Sequence, residues 1–375
     1  MKFVDLYSDA EDIANIQDST NLVKRAAQRA LDRAAGFHAW SFYLDFGWIT
    51  TVDDITAGDA DVTINSKSIS SNHADTSWPA AIADGTSRKR KFRIQTQSAF
   101  YTIASRGGST ALTLDQVFQG ATAADQSYRI YQDEYRLFGD VDGMHTFRQI
   151  EDGVLMLNAD SDQFDEEFPT PDSNGNSLFA VPVGRRQDTY AGGTISATVG
   201  AVVITGVSTL WTSVQGLSRG NRIRIGTNVY TIKSVDSDTQ LTIYESIVTT
   251  VSAGTAYTIF LDNLVIQVYE IPDSVKNLYY RYYRKPAPLV NDYDEPDLPP
   301  AYHWLLLHGT LSELWAIKGD DQRRVSADQT FLNGLVQMKN HYTSDRLYER
   351  RPSIIGYRAR LKLRYPSNFD VAYSR

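Results

Sequence analysis

The sequence predicts an α+β fold: a discontinuous helical body with strands, carrying two inserted, repeated all-β sandwich or barrel modules and ending in an extended C-terminal arm. Three observations predict it. A helix pair near the C-terminus is opened by Pro299-Pro300 and divided by Gly319. Two Ser/Thr/Ala/Gly-rich stretches of short alternating runs match one another. After residue 343 the chain turns basic and loses helical periodicity.

The elements follow in order. Thr20 caps a helix in which Val23, Ala26, Ala27, Ala30, Leu31 and Ala34 recur at helical spacing, and Gly36 stops it. Arg25, Arg29 and Arg33 form a basic stripe on another face. Trp40, Phe42, Tyr43, Phe46 and Trp48 are expected to close this helix onto a strand. The first β module, 53–132, and the second, 189–261, are one repeat. Tyr101 corresponds to Tyr230, Leu112 to Leu241 and Tyr128 to Tyr257, each pair 129 positions apart. Trp78 and Trp211 precede them at a different spacing, which implies a change of loop length. The body is therefore split into 1–52, 133–188 and 262–343, with an arm at 344–375. Its middle part holds a short helix, Ser161 to Phe168, and a strand, Leu178 to Val183, that Pro182 places at a sheet edge or ends. The partner of that strand is expected at Val265 to Ile271. A strand from Leu278 to Arg284 buries Leu278, Tyr280 and Tyr282 at a period of two. In the following helix the face bearing Trp304, Leu307 and Leu311 is expected to be core, and a second helix runs from Asp321 to Tyr342.

Composition narrows the function classes. With 375 residues, 42% of them hydrophobic, the chain can build two or three cores. A net charge of -8 argues against a protein that coats nucleic acid over its whole surface. The lack of cysteine excludes disulfides, zinc-thiolate sites and cysteine nucleophiles, and fits folding in a reducing cytoplasm. Met1 to Ala10 is not a secretory signal, and no apolar run is long enough to span a bilayer, so no membrane association is expected. No HExxH, nucleotide-binding glycine loop or GxSxG is present. The acidic run Asn158 to Gln163 imitates a calcium loop but lacks glycine at 163 and glutamate at 169. No catalytic, metal or cofactor-binding residue is assigned, and no cofactor is expected.

Three stretches resemble the adaptor (head-to-tail connector or head-completion) proteins of tailed bacteriophages. They are the helix from Val23 to Trp40, the segment from Tyr135-Arg136-Leu137-Phe138-Gly139-Asp140 through Phe164 to Pro169, and the run Tyr280 to Pro286, Leu298 to His303 and Leu305 to Leu311 that continues through Gly319-Asp320 to Phe331–Leu335. The resemblance covers about half the chain, and the two modules depart from a compact adaptor. It implies a non-enzymatic virion protein at the neck, assembled in the host cytoplasm as a homo-oligomeric ring, usually of twelve subunits. Such a ring binds the portal protein and a tail, nozzle or tube protein and makes transient contact with genomic DNA in its channel. Fibre proteins are candidate partners of the β modules. The alternative reading is a tube, hub or fibre-attachment protein of the tail with carbohydrate-binding modules.

The expected sites are interfaces. Arg25, Arg29, Arg33, Phe331, Leu335 and Met338 are expected to meet a neighbouring subunit. The arm, with eight Lys and Arg against three acids, has a net charge of +5. Arg350, Arg351, Tyr357, Arg358, Arg360, Lys362, Arg364 and Tyr365 are its expected portal-docking residues, with DNA or a neighbouring subunit as the competing partners. Both modules are expected to be separable, so that deletion of 189–261 leaves a folded body.

Overall fold

A computed structural model describes residues 1–15, 20–79, 82, 90–149, 154–158, 161–168 and 173–342. The arm at 344–375, with all eight of its docking candidates, lies outside the described residues. The chain begins with helices α1 (Phe3–Ala14) and α2 (Thr20–Gly36) and strand β1 (Leu44–Thr50). The first module follows: β2 (Ala60–Val62), β3 (Ser68–Ser70), β4 (Lys91–Ile94), β5 (Phe100–Gly108), β6 (Ala111–Leu114), β7 (Ala123–Gln126) and β8 (Tyr128–Tyr131). Then come β9 (Glu134–Arg136), β10 (Val141–Gln149), β11 (Val154–Asn158), α3 (Ser161–Glu167), β12 (Asn174–Gly175) and β13 (Phe179–Tyr190). The second module contributes β14 (Thr194–Ala197), β15 (Val203–Val207), β16 (Arg222–Ile225), β17 (Asn228–Ser237), β18 (Gln240–Ile243) and β19 (Val251–Thr255). The chain then forms β20 (Thr258–Tyr269), β21 (Ile271–Pro272), β22 (Asn277–Arg284), α4 (His303–Lys318) and α5 (Asp321–Tyr342). The fold is α+β. It divides into a helical unit, built mainly from 5–42 and the described chain from Leu298, and a β-rich unit built mainly from 43–297.

In the helical unit, α2 buries the apolar positions that its spacing marks, from Val23 to Ala34. Alanine predominates on that face, so α4 can approach closely. At Gly309 of α4 an added Cβ would lie 2.8 Å from Ala30 and 3.0 Å from the Phe331 ring. The α4 helix ends in a left-handed Gly319, φ +74°, as the sequence suggests. Helix α1 was not foreseen; its Leu6, Ala10 and Ala14 are buried. The expected core face of α4 needs correction. Leu311 is buried as expected, and Leu305, Leu306 and Leu314 are buried with it, whereas Trp304 is 38% exposed and Leu307 only half-buried. The buried set takes up most of the circumference of α4, because α1, α2 and α5 all pack on it.

The two modules of the β-rich unit are superimposable in topology. The first has strand order β7-β2-β3-β6-β5-β4-β8, and the second has β19-β14-β15-β18-β17-β16-β20. Their bulges coincide too: the ladder slips after Ile103↔Leu114 in one and after Ile232↔Ile243 in the other. Each core is built around the same polar chain. Trp78 Nε1 donates to the Tyr128 hydroxyl at 2.8 Å, which donates to the Ala57 carbonyl at 2.7 Å. Trp211 Nε1 donates to the Tyr257 hydroxyl at 2.9 Å, which donates to the Gly192 carbonyl at 2.5 Å. Two large amphipathic rings can be buried because every polar atom on them finds a partner.

The modules differ in how they join the body. The first forms its own seven-stranded sheet, whereas the second is continuous with the body sheet through β13 and β20. The expected pairing of Pro182 with the Val265–Ile271 region is present, Pro182 lying opposite Ile266. Pro182 does not end its strand, however. A bulge between Pro182 and Gly184 absorbs the missing N–H, and β13 runs on to Tyr190 inside the second module.

A buried junction adds to this shared ladder. The loop at 216–221 of the second module sits on the turn at 137–140 of the body. Arg219 Nε donates to Asp140 at 2.7 Å, and its Nη2 reaches Asp45 at 2.9 Å. The Tyr282 hydroxyl donates to Asp140 at 3.2 Å. Asn263 Nδ2 donates to the carbonyls of Leu137, at 2.6 Å, and Gly216, at 2.7 Å. Gly220, at φ +89°, packs on the Asp140 backbone, where a Cβ would lie 2.9 Å from the Asp140 nitrogen. Burial pushes the Asp140 carboxyl up against the pull of Arg219. At the more open Asp45 burial is outweighed by Arg219, the Phe46 N–H and Arg284 together, which hold the carboxyl down. Asp140 thus draws its counter-charge from a residue of the second module.

Two outcomes follow for urea unfolding. Arg219→Ala should destabilise the β-rich unit by about 2–3 kcal/mol, less than for a fully buried pair because the guanidinium is partly solvated. Adding Asp140→Asn should return most of that loss, since no charge is then left buried. Deletion of 189–261 removes Arg219 as well, so it should leave the body markedly less stable rather than unaffected.

Candidate functional site

Strands β1, β22 and β10 form one end of the body sheet, with β1 at the edge. Pairing fixes which residues share a face. On the inner face Gly47, Tyr280 and Phe147 are in register, as are Ile49, Leu278 and Gln149. Tyr280 and Phe147 stack with ring centroids 5.1 Å apart, and the Tyr280 ring lies over Gly47 where a side chain would stand. This face is the core expected for Leu278, Tyr280 and Tyr282.

The outer face is different. Phe46, Arg281 and Thr146 lie in one row, and Trp48, Tyr279 and Arg148 in the next. Leu44 pairs with Tyr283, whose ring meets His145 at 5.8 Å. Among the described residues little covers these rows: Phe46 is 65% and Trp48 52% exposed, although Trp48 meets the Phe138 ring at 6.0 Å, and Tyr279 and Tyr283 are half-buried. Arg281 is exposed and has no ion-pair partner among the described residues. An aromatic sheet face studded with arginine, left open on a folded chain, has the composition of a protein interface. The free edge of β1 also opens on a cleft of about 230 Å³ bounded by Trp48, Thr50, Val52 and the turn at 212–217. An unpaired edge beside such a cleft can accept an added strand.

This is not where the sequence places the subunit contact. Phe331, Leu335 and Met338 are fully buried within the helical unit, so none is available to a neighbouring subunit. They face inward because Gly334 and Gly309 let α5 and α4 close on each other and on α2. The arginine stripe is mostly engaged within the chain. Arg33 pairs with Asp328 at 2.8 Å and with Glu313 at 3.6 Å, and it caps the Phe331 ring at 5.1 Å. Arg29 approaches Glu313 at 3.8 Å. Arg25 is exposed and bonds the Asn21 carbonyl of its own helix at 3.3 Å. Among the described residues no cluster of His, Asp and Glu is placed to hold a metal ion, and no helix is long and apolar enough to cross a membrane.

Core and surface aromatics should respond differently. Phe46→Ala should change folding stability by no more than about 0.5 kcal/mol, whereas Phe331→Ala should cost about 3–5 kcal/mol, both read from chemical denaturation.

The family model described as SU10 adaptor protein matches residues 183–354, a little under half of the chain. The match runs from within β13 through the second module, β20, β21, β22, α4 and α5. No curated protein matches the chain. The family match supports a phage adaptor-type structural protein, a component of the virion.

Proposed function

We propose that this chain is the subunit of an adaptor ring between the portal and the tail of a tailed phage. The ring seals and extends the DNA channel and gives the tail a docking surface. The observation that carries the reading is the adaptor family match over strands and helices that belong to one chain with an open aromatic and basic sheet face. A subunit working alone has no use for Phe46 and Trp48 in water; a ring subunit has neighbours to cover them. The contact must be heterologous, one surface of each subunit meeting a different surface of the next, because a closed ring larger than a dimer requires it. Transient DNA contact suits the basic residues, and the modules give tail or fibre subunits a place to dock.

The arm at 344–375 is proposed to reach the portal as an extended segment. Its charge of +5 on a chain of -8 suits ordering by an oppositely charged partner rather than by its own core.

Two measurements test this. In sedimentation, the wild-type chain should form closed oligomers. The double variant Phe46→Ser, Trp48→Ser should fold and sediment as smaller species; unaltered assembly would remove this face from the contact. A chain truncated after Thr343 should fold yet lose portal binding, and undiminished binding would remove the arm from that role.

A further inference from the structure

The seam where the first module joins the body holds a second chemical feature, away from the sheet face. Lys91 of β4 and Asp133, two residues beyond β8, are 9% and 3% exposed. Their Nζ and Oδ2 atoms lie 2.7 Å apart. They come from hydrogen-bonded neighbours, since β4 pairs with β8 and Lys91 stands opposite Tyr131. A third group completes the cluster: Glu134 Oε1 is 3.4 Å from the same ammonium. The Phe100 ring covers Lys91 Nζ at 4.8 Å. Asp133 Oδ2 also accepts from Gln267 Nε2 at 3.2 Å, but its Oδ1 is buried without a hydrogen-bond partner among the described residues.

We propose that Lys91 and Asp133 become joined by an intramolecular isopeptide bond, which the folded chain forms by itself with Glu134 as the proton-transfer group. The ammonium first passes a proton to the carboxylate it touches, leaving a neutral amine beside a neutral acid. The amine lone pair then attacks Asp133 Cγ, forming the N–C bond and a tetrahedral centre. Glu134 takes a proton from the new N⁺ and delivers it to the departing hydroxyl. The C–O bond breaks, the carbonyl re-forms and one water leaves; Glu134 ends as the carboxylate it began as. No oxidant or other reagent is consumed.

The site favours each step. Two charges held out of water bear a large desolvation penalty, which a neutral amide abolishes. Burial pushes the Asp133 carboxyl up, toward the neutral acid that the attack needs, although Lys91 opposes this. The unpartnered Oδ1 leaves one carboxyl oxygen free of hydrogen bonds that would have to break. The amide would lock β4 to the end of β8, where the module joins the body at β9. A pull on the module could then not unzip that seam.

The test is the intact mass of the purified full-length chain after denaturation. The proposal predicts a mass lower than the sequence mass by one water, and a branched peptide linking the Lys91 and Asp133 segments after proteolysis. Lys91→Arg, which keeps the ion pair but has no amine for the attack, and Glu134→Gln should both restore the full mass. A wild-type chain at its full sequence mass would overturn the proposal and leave an ordinary buried ion pair. So would a water loss that persists in Lys91→Arg, because that loss would arise elsewhere, for example at Asp142-Gly143.

Discussion

The β-rich unit depends on one constraint: Asp140 is buried in the body and receives its counter-charge from Arg219 of the second module. A buried carboxylate without a partner is among the costliest arrangements a fold can contain. The turn at 137–140 and the loop at 216–221 must therefore meet, and Asn263, Asn221 and Gly220 are the residues that let them do so at contact distance. The shared β13 and β20 ladder sets the register from the other side. Together they make the second module part of the body's own structure, although its fold repeats that of a module joined in a different way.

The repeat was legible in the sequence because its core positions keep a constant offset. From Tyr101 to Tyr128 every strand of the first module finds its counterpart 129 residues later. The buried Trp-Tyr pairs explain why these types recur, since the indole and the phenol hydrogen-bond each other in both cores. How the modules join the body was not legible. Pro182 is read locally as a strand end, and only the observed bulge shows how a strand can pass through a proline. Helix α1 escaped notice because its acidic residues obscure the sparse apolar spacing of Leu6, Ala10 and Ala14.

The candidate surface shows where local pattern stops being informative. Phe46 and Trp48 alternate with buried positions along β1, and alternation alone does not say which face another layer will cover. The period-two face of Leu278, Tyr280 and Tyr282 is the core, as its spacing suggests, and the Phe46 and Trp48 face opposite it is left open. On α5 the opposite occurred: Phe331, Leu335 and Met338 could serve a neighbour or the chain's own helices, and two glycines decided for the latter. The arginine stripe of α2 gives no sign in sequence that Glu313 and Asp328, nearly 300 positions away, come to meet it. The adaptor resemblance fared best on the stretch from Tyr280 to Leu335, which lies wholly within the family match at 183–354. The early helix and the segment from Tyr135 to Pro169 lie outside that match.

The open sheet face has meaning only if neighbouring subunits cover it. Electron microscopy of the purified chain, alone and mixed with its portal protein, tests this most directly. The account predicts closed rings of identical subunits that stack coaxially on the portal. Monomers or two-fold dimers at high concentration that leave the portal bare would contradict it.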